Sequence, residues 1–448
     1  MRIKILIVNV RNFLKESISA IRSKNPRVLQ PIALFGSMVL DMGLMFISGI
    51  ITARLLGPAN YGDLQFIRTV MSLLTLVVTF GIFYSGSRVL VTEADPQKCH
   101  EISGTIVFIS FVMGLIVCVA MAALIYPADY FFHTNVGHIV IPLLPFFIGL
   151  CLDQALPLIL QSTNRIYLLA IYSCAPAFLY ILVTVTLSLL KLISTSSVLI
   201  TFQVTTLLVN LLIVAYTKPS LVSIKYWWEE IKKRNKSYGF PVYRGALIAL
   251  GTGYLNRLGI SYWVNNTAIG FFSLATNLTE PLKFLPNAIA TSSFRRFAGE
   301  TKISRKILLT SIAITLASLV VALVFYGAPL AWLYTSKFIQ VSPMARALSV
   351  AAIFMGFGDM FNRFLGAHGQ GKPIQNAAIS FGVANALGIF VFVPYFGVWG
   401  AVITSVLAGS VYLLQMYLSY RRFNLKISSQ VVKEELNLAE KPNLAEEI

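Results

Sequence analysis

Charge is what this chain has least of. Asp, Glu, Lys and Arg make up 12% of its 448 residues, about half the ~25% of a soluble domain. With 56% hydrophobic residues and a mean hydropathy of +0.75, that deficit excludes a water-soluble globule. Acids are scarcer than bases, 18 against 36, for a net charge of +18. Nucleic acid is not the explanation of that surplus, because the bases gather in short loops between long apolar runs instead of on one face. Four cysteines, Cys99, Cys118, Cys151 and Cys174, lie in an inner turn or in apolar runs and make no disulfide framework. Four histidines, His100, His133, His138 and His368, have no ligand-like spacing. Paired carboxylates, a phosphate-cradling glycine loop and a nucleophile triad are all missing. The outer connections are too short to house an active site, so a membrane glycan polymerase or transferase is disfavoured and a transporter is expected.

What is present is a repeated apolar block about as long as a bilayer-crossing helix, which needs ~20 residues. Twelve such spans are predicted, at 31–53, 66–89, 102–126, 138–161, 166–190, 197–216, 241–264, 267–293, 306–334, 343–364, 374–395 and 398–420. They are read as helices, because hydrocarbon offers no partner to an unpaired backbone group and the runs are too long for barrel strands. The fold class is therefore all-α and integral to the membrane. Placing the basic N-terminus inside puts Lys218 to Lys236, Arg295 to Lys306 and Arg421 to Lys426 in inner loops, while the outer loop at 127–137 holds no base. That is the positive-inside bias, and it predicts cytoplasmic N- and C-termini.

The chain divides into an amphipathic inner-leaflet segment at 1–30, a six-span lobe at 31–216, an interlobe linker at 217–240, a second six-span lobe at 241–420, and a polar, frayed tail at 421–448. In the linker, Tyr226, Trp227 and Trp228 beside a Lys/Arg run read as an aromatic anchor at the headgroups, or as a sensor of lipid. The halves carry a faint echo: Gly62 in ANYGDLQ and Gly270 in TAIGFFSL each open a span. Six spans per half makes the repeats parallel, related by a pseudo-two-fold along the membrane normal.

The stretch GIITARLLGPANYGDLQFIRTVMSLL at 49–74, with its turn residues Arg54, Leu55, Leu56, Gly57, Pro58, Tyr61 and Gly62, resembles a signature of the polysaccharide-biosynthesis (Wzx-type) flippases. These belong to the multidrug/oligosaccharidyl-lipid/polysaccharide exporter superfamily. IGFFSLATNLTEPLKFLPNAIATSSF at 269–294 and the run at 367–409 fit the same family. The resemblance implies a MATE-like transporter in a bacterial inner membrane that moves a polyprenyl-diphosphate-linked oligosaccharide between leaflets, with membrane lipids and other polysaccharide assembly proteins as partners. A multidrug or cation exporter of the same superfamily is the nearest alternative. In the turn, Gly57-Pro58 and Gly62 suit a reversal between spans, Arg54 can reach headgroups, and Tyr61 suits the interface.

Charged side chains at bilayer depth cost roughly 2.5–3.5 kcal/mol each on insertion scales, so they mark partners or pathways. Six stand out: Asp41, Arg68, Asp153, Arg257, Glu280 and Lys283. All but Asp153 fall on the first, second, seventh and eighth spans, which the resemblance implies line a shared lumen. Arg68, Arg257 and Lys283, with Glu280, are the candidate ligands of a diphosphate or a sugar acid. Two blander readings stand beside this: Glu280 and Lys283 are i,i+3 and suit mutual neutralisation, and Arg68 suits snorkelling. Asp41 and Asp153 are the candidates for coupling to H+ or Na+; no other cofactor is implied. Asp359 and Arg363 sit near an inner end, where headgroup contact is the default. Pro142, Pro145 and Pro157 in the fourth span, and Pro281 and Pro286 in the eighth, are expected to kink their helices.

Overall fold

The computed structural model describes residues 26–439; of the expected amphipathic segment at 1–30, residues 1–25 lie outside them. Every regular element among the described residues is helical. In chain order they are α1 (Pro26–Val78), α2 (Ile82–Thr92), α3 (Pro96–Phe132), α4 (Gly137–Val140), α5 (Leu150–Ser162), α6 (Ile166–Leu189), α7 (Thr195–Thr217), α8 (Ile224–Arg234), α9 (Phe240–Trp263), α10 (Asn266–Ser292), α11 (Phe294–Ala298), α12 (Arg305–Phe325), α13 (Ala328–Tyr334), α14 (Val341–Ala367), α15 (Gly371–Phe396) and α16 (Val398–Ala439).

Among the described residues, nine helices are long and apolar enough to cross a membrane. The first of these runs through two predicted spans, because α1 breaks without ending at Gly57, whose φ of 74° is left-handed and suits a residue without a Cβ. The seventh and eighth predicted spans, α9 and α10, are not among the nine; both are long but more polar, rich in Gly, Asn, Ser and Thr besides their charged residues. Counted with them, the twelve-span, all-α membrane fold is present. It interrupts the second span at Thr79–Gly81, between α1 and α2. The fourth span is wound as a 3₁₀ helix over Ile141–Gly149, where Pro142 and Pro145 deprive the α-helical ladder of donors. Helix starts are built locally: Ser194 and Ser197 form a reciprocal capping box at α7 (3.0 and 2.8 Å), and Asn265 accepts the Ala268 N–H at the head of α10 (2.9 Å).

The chain forms two compact units. Unit 1 holds residues 1–56, 71–130 and 135–243; unit 2 holds 57–70, 131–134 and 244–448. The core of unit 1 gathers α2, α3, α5, α6, α7 and α8 around residues such as Ile102, Val117, Cys151, Leu152 and Leu160. One core of unit 2 gathers α10, α11, α12, α14, α15 and α16 around Phe297, Met360, Phe364, Ala377 and Met416. Outward faces are apolar as well: Val320, Val321 and Val324 on α12 are all more than 60% exposed. This is the pattern of a surface meeting hydrocarbon.

Three local readings of the sequence are corrected. Trp227 is not a headgroup anchor: it is 6% exposed within the core of unit 1, its indole N–H donating to Glu101 (2.9 Å), with Ile231 one turn on fully buried. Basic neighbours made an amphipathic docking helix look like an interfacial one. Tyr61 is likewise buried, edge-on to Phe338 (centroids 6.3 Å). The backbone from 421 does not fray at once but continues α16 to Ala439, there being no Gly or Pro in that stretch to stop it.

Candidate functional site

The residues singled out for ligand binding, Arg68, Arg257, Glu280 and Lys283, all belong to unit 2. Its stretch Gly57–Val70 carries Arg68, half-buried one position beyond the fully buried Phe66 and Ile67. This stretch is seated against the start of α10. The Asn266 amide donates to Asp63 (2.7 Å) and accepts from the Ser261 hydroxyl (2.7 Å), linking the α1 extension, α9 and α10. An aromatic cluster adds to it: Phe66 is edge-on to Phe132, and Phe131 stacks on Tyr262 at 4.8 Å.

Arg257 lies half-buried on α9, one turn before Ser261, within electrostatic reach of Tyr254, Tyr61 and Glu280. Glu280 and Lys283 project from α10 and stand 4.0 Å apart, with side chains 49% and 32% exposed. The two readings of that pair are thus both served: the ions are neighbours, yet at a separation and exposure where an ion pair contributes little. Glu280 is thus a charge neighbour of both Arg257 and Lys283. The sequence reading missed a further member of this set. Asp359 on α14, assigned by its position to an inner end, is a charge neighbour of Lys283, Arg363 and Glu280. It accepts a hydrogen bond from Tyr412 of α16 (2.9 Å), whose hydroxyl accepts from Asn362 (3.0 Å). Arg363 donates through Nε to Asn287 (3.3 Å).

What brings α10 and α14 close is Gly356: a Cβ there would stand 2.9 Å from the Lys283 carbonyl oxygen and 3.1 Å from the Pro286 ring. Pro281 and Pro286 lie inside α10 on either side of Lys283.

Asp41 and Asp153 belong to unit 1. Asp153 on α5 accepts from the Asn210 amide of α7 (2.7 Å) and lies 3.5 Å from the Tyr172 hydroxyl of α6, which donates to Asn210 (3.0 Å). The carboxylate is thus held by neutral donors from two other helices, with Asn210 fully buried. Asp41 on α1 lies beside Cys174 of α6, whose thiol donates to the Ser37 carbonyl (3.4 Å). Among the described residues, no cluster of His, Cys, Asp and Glu is arranged to hold a metal ion.

Comparison with known proteins gives the chain a fold and a family. No curated protein matches the chain. Among solved structures, the lipid II flippase MurJ in an inward closed conformation superposes with a TM-score of 0.71 at 18% identity, covering 92% of this chain and 93% of that one. An inward-facing multidrug resistance MATE transporter of the MOP superfamily gives 0.70 at 15% identity, over 87% and 96%. A MOP superfamily transporter from Pyrococcus furiosus, described by a binding pocket of reversed polarity, gives 0.54 at 15% identity, over 90% and 97%. At such identities the likeness establishes the fold. The sequence model of the family described as polysaccharide biosynthesis protein matches residues 31–298, more than half the chain, so this multi-pass membrane protein, built on the MOP superfamily fold, belongs to the polysaccharide biosynthesis protein family.

Proposed function

We propose that the chain is a flippase that carries a polyprenyl-diphosphate-linked oligosaccharide, a repeat unit of O-antigen, capsule or exopolysaccharide, from the inner to the outer leaflet of a bacterial plasma membrane by alternating access. Both termini are cytoplasmic in this reading. Family membership supports the involvement with polysaccharide, and the fold, shared with a lipid II flippase, supports a lipid-linked cargo. The observation that carries the reading is a charge arrangement. Three bases distant in sequence, Arg68, Arg257 and Lys283, belong to one unit, and the last two flank a single carboxylate, Glu280. A diphosphate is the natural counter-ion for such a set: Arg offers two parallel N–H donors to phosphate oxygens and Lys a point charge.

Transport is coupled to H+ or Na+ through Asp41 and Asp153, acids of unit 1: Asp153 is held by the neutral donors Asn210 and Tyr172, and Asp41 lies beside the Cys174 thiol. Membrane lipids and other polysaccharide assembly proteins complete the partners. A lipophilic-cation exporter is the competing reading, favoured by the MATE likeness, but three bases repel such a cargo.

The test is a triple Arg68→Ala, Arg257→Ala, Lys283→Ala variant in a host whose surface glycan depends on this gene. Loss of glycan with protein level retained is expected; unchanged glycan sinks the assignment. Export of ethidium by the purified protein in vesicles, with no movement of lipid-linked sugar, establishes the competitor.

A further inference from the structure

The charge neighbours of Lys283 include a second acid, Asp359, and it is built differently from Glu280. Glu280 shares a helix and an exposed face with Lys283, at the outer limit of an ion pair. Asp359 is fixed from behind. Tyr412 donates to it at 2.9 Å, and Asn362 donates to Tyr412 at 3.0 Å. The Tyr412 ring lies against Gly358, where a Cβ would come 2.5 Å from the ring edge. Gly356, two residues earlier, presses α14 onto the backbone of Lys283 itself. Backbone packing thus sets the separation between the root of Lys283 and the carboxylate of Asp359. The ammonium, on its four-carbon stem, remains movable between Glu280, Asp359 and any third anion. Glu280, Lys283, Asp359 and Arg363 together hold two acids and two bases, a formal charge of zero, to which Arg257 beside Glu280 adds one positive charge.

We infer that Asp359, oriented by Tyr412, is a positioning residue that acts through Lys283: together with Glu280 it attracts the ammonium in the empty site and yields it to the diphosphate of the cargo. The inference rests on the reading of Lys283 as a headgroup ligand. Its consequence is a division between binding and release. A charge that competes with the cargo for Lys283 weakens the complex and speeds departure. Removing it leaves the cluster with a surplus positive charge that holds the diphosphate and lets go slowly.

The experiment uses the full chain in nanodiscs with undecaprenyl diphosphate as probe, and proteoliposomes with the lipid-linked oligosaccharide for turnover. Asp359→Asn is expected to lower Kd about tenfold, which is about 1.4 kcal/mol, and to slow turnover by a similar factor, while Asp359→Glu restores both toward wild type. Should Asp359→Asn fail to accumulate, Tyr412→Phe retains the ring on Gly358 and removes the hydroxyl that orients the carboxylate. It is expected to shift both quantities about threefold in the same directions. Weaker binding in these variants, or slower turnover at unchanged Kd, marks Asp359 as a packing residue and overturns the inference. Lys283→Ala separates the two levels of argument: wild-type binding of the probe by that variant removes Lys283 as a ligand, whereas lost binding beside an unaltered Asp359→Asn condemns only the role given to Asp359.

Discussion

Gly62 and Gly270, the two glycines that open spans at matching points of the two halves, lie against each other: a Cβ on Gly270 would stand 3.1 Å from the Gly62 Cα. On its other side Gly62 abuts the backbone of Asn266, where a Cβ would collide with the carbonyl oxygen. The contact seats the Gly57–Val70 stretch, and with it Arg68, on α10.

Substituting alanine at these positions gives the first expectation. Gly62→Ala must push the α1 extension off α10, an overpacking that costs roughly 1–3 kcal/mol. Gly270→Ala meets less crowded atoms and costs less. Thermal unfolding of the detergent-solubilised protein should rank wild type above Gly270→Ala above Gly62→Ala. Equal stability of all three contradicts the close approach.

Trp227 supplies the second. Its indole is in the core of unit 1 and bonded to Glu101, so Trp227→Ala should cost about 3–5 kcal/mol. Trp227→Phe retains most of the packing and should lose only about 1 kcal/mol, the worth of a hydrogen bond. In a variant whose sole tryptophan is Trp227, brominated lipids should leave its fluorescence unquenched, whereas an interfacial residue is quenched.

These cases mark where the sequence is readable. Apolar runs place the twelve spans because the bilayer fixes their length, and prolines locate the 3₁₀ winding of the fourth span because the missing donor acts within its own helix. Charged residues stand out for the same local reason, their cost in hydrocarbon. What is not local is lost. Trp227 beside Lys232 has the same sequence whether it meets headgroups or Glu101. Nothing near Asp359 announces that Lys283, on another span, lies beside it, since that depends on Gly356 admitting α10. The extent of each helix is legible in the sequence; adjacency between helices is not.

Asp153 gives the third expectation. Asn210→Leu removes its 2.7 Å donor from a buried position and should cost about 1.5–3 kcal/mol, the range for hydrogen bonds to charged groups. Asp153→Asn should fold, since an amide keeps the shape, but lose its response to an ion gradient. In proteoliposomes, wild-type transport should fall when ionophores collapse the gradient, and Asp153→Asn should be slow in both conditions. Asp41→Asn tests the other acid alike. If both variants transport at the wild-type rate with and without a gradient, the coupling role is excluded.

The last expectation separates an ion-pair scaffold from a binding group at Arg257. Its charge neighbour is Glu280, so Arg257→Glu places two acids side by side in a low-dielectric setting and should reduce both stability and transport. Exchanging the pair, Arg257→Glu with Glu280→Arg, restores attraction between the same two helices and should recover protein level and thermal stability. It does not return a guanidinium to the place on α9 beside Tyr61 and Tyr254. If Arg257 grips a phosphate, transport therefore stays low, by a factor of about ten or more for a lost charge-assisted contact of roughly 1.5–3 kcal/mol. Arg257→Lys should fall between, keeping the charge without the fork. Full transport by the exchanged pair, measured with lipid-linked oligosaccharide in proteoliposomes, reduces Arg257 to half of a structural ion pair and leaves Lys283 and Arg68 to carry the headgroup.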